Sequence, residues 1–135
     1  MEYTTALYSI GLLTFVLLFI EINFTYATQG FSFGWSSNRG TDVEYSPLAK
    51  RISNAYNNQV ESAAYSVPVL AAAALTGLES GGAETAALIY VLGRVIYAPL
   101  YYLGFAGLRL IGFGMGSLSM IYILYKLGAS GLIWG

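Results

Sequence analysis

Long apolar runs, interrupted by few charges, decide what this chain can become. Residues 5–28, 83–107 and 108–134 each approach or exceed the ~20 residues that a helix rising 1.5 Å per residue needs to cross a hydrocarbon core of roughly 30 Å. Inside lipid every backbone N–H and C=O must be satisfied within the protein, so runs of this length are read as helices. A further segment, residues 52–78, is polar from Asn54 to Glu61 and apolar from Ala63 to Leu75. It falls below a strict hydropathy threshold, but an even number of crossings requires it. The expected fold is therefore all-α, an integral membrane four-helix bundle formed as a single domain over residues 1–135.

Composition supports lipid as the main solvent. Of the 135 residues, 56% are apolar and only 10% charged, too few for a water-facing surface of ordinary charge density. A net charge of −1 without any basic run leaves no footprint for a nucleic-acid backbone. The sequence contains neither cysteine nor histidine, which removes disulfides, thiol nucleophiles, imidazole bases and the usual zinc or haem ligands; no metal site is expected. Met1 is followed by Glu2 rather than a basic cluster, so the first apolar run reads as a retained helix and not a signal peptide.

The connections are unequal. Residues 29–51 form a loop rich in turn formers and are the only sizeable stretch outside the helices, whereas Glu79-Ser80-Gly81-Gly82 and the region near Gly104 to Gly107 are tight turns. Arg39, Lys50 and Arg51 fall in or beside the long loop and Arg109 at the third turn, with no Lys or Arg at the amino terminus or second turn. By the positive-inside rule the first loop is expected in the cytosol and both termini outside, with the bacterial inner membrane as the expected location. Lys126 is the exception, and its long stem is expected to snorkel to the outer interface. Trp134 and the tyrosines fit an interfacial belt, and Gly112, Gly114 and Gly116 offer close helix packing.

A charge at bilayer depth costs about 2.5–3.5 kcal/mol even on the insertion scale, so polar residues within the spans need a reason. On the second helix Arg51, Asn54, Asn58, Glu61 and Tyr65 recur at helical spacing; on the third, Tyr90, Arg94, Tyr97 and Tyr101 do the same. Two readings follow. Either Glu61 and Arg94 neutralise each other while the amides bridge helices, or the stripes form a cationic, hydrogen-bonding cleft for a small anionic ligand beside a lipophilic one. Glu21 on the first helix stands apart from both stripes. Pro68 and Pro99 are expected to kink the second and third helices.

The run Arg51-Ile52-Ser53-Asn54-Ala55-Tyr56-Asn57-Asn58-Gln59-Val60-Glu61, with Pro68 after it, resembles the second-helix signature of the MAPEG family, membrane-associated proteins of eicosanoid and glutathione metabolism. Gly93-Arg94-Val95-Ile96-Tyr97-Ala98-Pro99-Leu100-Tyr101, followed by Leu108-Arg109, resembles that family's third helix and the turn beyond it. The resemblance implies a homotrimer that binds glutathione between subunits near the cytosolic side and uses it as a transferase or peroxidase on a lipophilic electrophile. Asn58 and Glu61 would bind the tripeptide, with Arg51, Asn54, Arg94, Tyr97 and Tyr101 as further cofactor positions. Arg109 and Tyr97 would activate the thiol, whose ordinary pKa near 8.5 leaves only a few per cent thiolate at neutral pH; Arg39 is a third candidate. Two departures stand out: Asn54 occupies a position often Arg in the family, and the end of the first helix lacks an arginine. They leave an alternative, a catalytically decayed scaffold serving as an accessory subunit of a larger membrane complex.

Overall fold

The computed structural model describes residues 1–29 and 46–134. Within them the chain forms four helices: α1 (Tyr3–Gln29), α2 (Pro47–Thr76), α3 (Gly81–Leu103) and α4 (Ala106–Ser130). α1, α3 and α4 are long and apolar enough to cross a membrane. α2 is not among these three, as its polar first half leads one to expect. Of the expected first loop, residues 30–45, with Arg39, lie outside the described residues.

Local chemistry fixes where the helices begin and end. α2 starts at Pro47 rather than at residue 52, because Ser46 caps it: its Oγ accepts from the Ala49 N–H at 3.1 Å, and Pro47 supplies a preset φ where no backbone donor is needed. Lys50 and Arg51 are thereby helical instead of loop residues. Ser80 caps α3 in the same way, accepting from the Ala83 N–H at 3.2 Å. Gly77 and Gly104 adopt left-handed φ of 69° and 81° and close α2 and α3. α4 ends at Gly131, also left-handed, so Trp134 lies beyond the helix, where its indole N–H donates to the Gly128 carbonyl at 3.0 Å.

The short turns make the helices alternate in direction. The carboxyl ends of α1 and α3 and the amino ends of α2 and α4 gather at one end of the bundle, the loop end. At the other, terminal, end the Met1 ammonium donates to the Glu84 carbonyl at 3.3 Å and ties α1 to the start of α3. Every helix contributes to the core: Ile10 from α1, Leu70 from α2, Tyr90 from α3 and Met120 with Ile123 from α4 are almost wholly buried. Both internal prolines are accommodated within continuous helices.

α3 and α4 pack most closely, and glycine is the cause. A Cβ on Gly93 would lie 2.8 Å from the Gly112 carbonyl oxygen, and a Cβ on Gly112 would lie 2.8 Å from that of Gly93. Neither backbone has room to yield, so these residues permit the crossing. Gly116 continues the seam beside Tyr90 and Arg94, whereas Gly114 meets open space. We predict that Gly112→Ala destabilises the protein by about 1–3 kcal/mol, the usual cost of overpacking, while Gly114→Ala leaves stability unchanged or slightly raised; melting in detergent compares the two.

Candidate functional site

The buried face of α2 is formed by Ile52, Ala55, Gln59, Ser62, Ser66, Leu70 and Ala73, spaced three or four residues apart. Small and polar side chains here let α1 and α3 come close, and they carry the hydrogen bonds that link the three helices. Gln59 is the pivot, with no exposed surface. Its Nε2 donates to Thr14 Oγ1 on α1 at 3.2 Å, and Thr14 in turn donates to the Ile10 carbonyl at 2.8 Å. Its Oε1 accepts from Arg94 Nε on α3 at 2.9 Å.

Arg94 is 3% exposed and lies near the middle of α3. Nine residues separate it from Leu103, about 14 Å along the axis, so it sits close to mid-membrane. Its Nη2 donates to Asn58 Oδ1 at 2.7 Å, its guanidinium lies 4.5 Å from the Tyr97 ring centroid, and its stem passes over Gly116. Two hydrogen bonds to a charged donor, about 1.5–3 kcal/mol each, outweigh the roughly 2.5–3.5 kcal/mol cost of placing the cation at this depth. Among the described residues Arg94 forms no ion pair, and Glu61 is exposed, one turn further along α2. The Glu61–Arg94 pair is therefore not the arrangement adopted: neutral amides hold the cation and leave its charge uncompensated.

Asn58 also opens onto a groove of about 350 Å³ between α2 and α4. Glu61, Ser62 and Tyr65 form its polar wall with Asn58; Phe113, Met120, Ile121 and Leu124 form the apolar one. Ser62 bridges two phenols, donating to Tyr65 Oη at 3.4 Å in the groove and making a short hydrogen bond with Tyr90 Oη in the core. An amide, hydroxyls, the Glu61 carboxylate and an apolar wall thus meet in one groove, with the Arg94 cation directly behind Asn58.

The expected residues divide among three locations. Asn58 and Glu61 line this groove, Arg94 and Tyr97 lie behind Asn58, and the Tyr101 ring is tilted 51° against that of Tyr97 at 5.5 Å between centroids. Arg51 lies at the loop end, its Nε donating to the Tyr102 carbonyl at 3.0 Å and capping the carboxyl end of α3. Asn54 faces elsewhere, into a cavity of about 280 Å³ between α1 and α2 that it shares with Glu21, Thr25, Lys50 and Ser53. The backbone of Arg109 is in the first turn of α4, and its side chain lies outside the described part of the structure. Tyr90 belongs to the expected stripe of α3, whereas Gln59 and Ser62 do not belong to the expected stripe of α2; the spacing of the buried α2 face that carries them is the available signal.

The geometry predicts opposite outcomes for the two polar residues that flank the site. Gln59→Leu strands a buried Arg94 donor and should cost about 1–3 kcal/mol or more, whereas Glu61→Gln, at an exposed position, should change stability by less than about 0.5 kcal/mol. Comparison of melting in detergent tests both; a large loss in Glu61→Gln would restore the ion-pair reading.

Comparison with known proteins gives one result. The chain matches the MAPEG family over residues 3–129, nearly its whole length. The comparisons with curated proteins and with solved structures yield no match. With the resemblance on α2 and α3 extended to the full span of all four helices, the chain belongs to the MAPEG family.

Proposed function

We propose that this membrane protein binds glutathione in the α2–α4 groove beside Arg94 and uses its thiol against lipophilic electrophiles or lipid peroxides. The observation that carries the proposal is the buried Arg94 guanidinium, held by Asn58 and Gln59 without a protein carboxylate among the described residues. Glutathione carries two carboxylates and one ammonium. One carboxylate would supply the counter-charge for Arg94, while Glu61 on the same wall would take the ammonium. The apolar wall of Phe113, Met120, Ile121 and Leu124 would hold the electrophile. In the transferase reaction the thiol loses its proton, the sulfur forms a bond to the electrophilic carbon, and the leaving group departs with the electron pair of the broken bond. Tyr97 and Arg109 are the proposed stabilisers of the thiolate, with Arg51 and Tyr101 completing the loop-end side.

Assembly belongs to the same proposal. Asn57 and Glu61 are exposed on a helix that must lie within or against the membrane, where lipid cannot solvate them. A second and third copy of the chain would cover them, giving a homotrimer with the groove at the subunit boundary. The charges set the orientation: Lys50, Arg51 and Arg109 belong to the loop end, and Glu2, Glu79 and Glu84 to the terminal end. This supports a cytosolic loop end and external termini.

A thermal-shift titration of the detergent-purified protein tests the binding claim. Glutathione at about 100 times its dissociation constant should stabilise the wild type by roughly 2.7 kcal/mol. Asn58→Ala and Arg94→Lys should lose most of that shift. No shift at millimolar glutathione would overturn the proposal in favour of the non-catalytic scaffold. Topology has its own test because the chain lacks cysteine: a single cysteine at Glu79 should react with a membrane-impermeant maleimide from outside the cell, and one at Asp42 should not. The reverse pattern would invert the orientation.

A further inference from the structure

A second groove lies on the opposite side of the α3–α4 pair, at the terminal end of the bundle. It is a shallow, open groove of about 600 Å³ lined by Gly82, Thr85 and Ile89 of α3 and by Met115, Leu118 and Tyr122 of α4, among others. From Gly81 to Ile89 it runs eight residues, about 12 Å, close to the ~15 Å depth of one leaflet's hydrocarbon. At its terminal end the Tyr122 phenol rests against Gly82, where a Cβ would collide with it.

Lys126 lies one turn beyond Tyr122, the lining residue of α4 nearest the terminal end. It lies four residues before the end of α4, about 6 Å in, and its Nζ rests 5.6 Å from the Tyr122 ring centroid. Among the described residues the ammonium has no carboxylate partner; Glu2, Glu79 and Glu84 line a different cleft, between α1, α2 and α3. An unpaired ammonium near the helix end, next to an open apolar groove about 12 Å long, complements an anion with a hydrocarbon tail. Free phosphate would use only the ammonium and leave the groove without a role.

We propose that the α3–α4 groove at the terminal end is a binding site for one anionic phospholipid, its phosphate on Lys126 and one acyl chain along the groove. The site is independent of the glutathione groove and does not require it to be active.

Native mass spectrometry of the detergent-purified protein, titrated with an equimolar mixture of phosphatidylglycerol and phosphatidylcholine, provides the test. One basic side chain near the surface should give about a fivefold preference for the anionic lipid. Lys126→Gln should abolish the preference and Lys126→Arg should keep it. Thr85→Trp, at an exposed groove position, should reduce retention of both lipids, and glycerol 1-phosphate should not be retained at all. Equal retention of the two lipids, an undiminished preference in Lys126→Gln, or undiminished lipid retention in Thr85→Trp would each overturn the proposal.

Discussion

A cation held near mid-membrane by neutral groups is the constraint on which the rest of this structure depends. Arg94 keeps its charge in lipid only because Gln59 and Asn58 accept from it, and those amides are in place only because α2 carries a face of small and polar residues against α1 and α3. Gln59 cannot be satisfied by Arg94 alone. Its amide donors need Thr14, so the same network draws α1 into the bundle. Breaking the chain at any link leaves a polar group in hydrocarbon, which is more costly than the net gain from any one of these bonds.

The two halves of the bundle are therefore held by different physics. α1, α2 and α3 are joined through side-chain hydrogen bonds, and α3 and α4 through direct backbone approach at Gly93 and Gly112. In lipid, apolar side chains gain little by leaving their solvent, so association falls to these two devices, polar contacts and close packing. Arg94 belongs to both: its head joins the amide network, and its stem lies over Gly116 on α4. The groove between α2 and α4 opens where the two devices meet, which gives it a polar wall from α2 and an apolar wall from α4.

The sequence revealed the number of helices, the turns and the Tyr90, Arg94, Tyr97 face of α3, because apolar length and helical spacing are local properties. On α2 the expected stripe ran through Arg51, Asn54, Asn58, Glu61 and Tyr65, whereas the buried one runs through Ile52, Ala55, Gln59, Ser62 and Ser66, one residue on. One residue is about 100° of rotation, and both stripes have sound helical spacing, so spacing alone does not choose between them. Glu61 carries the conspicuous charge of the expected stripe, while the residues that reach Arg94 are two uncharged amides, Asn58 within that stripe and Gln59 beside it. Asn54 was displaced from the site for the same reason: its stripe faces different neighbours at its two ends. The start of α2 was misplaced because Ser46-Pro47 lies in a polar stretch, where a cap looks like more loop.

The most direct measurement of the central claim is an experimental structure of the protein in lipid, saturated with glutathione. The account predicts a glutathione carboxylate within hydrogen-bond distance of the Arg94 guanidinium, with Gln59 and Asn58 still accepting from it and the apolar wall of α4 across the groove. A protein carboxylate paired with Arg94, or glutathione bound away from this groove, would contradict it.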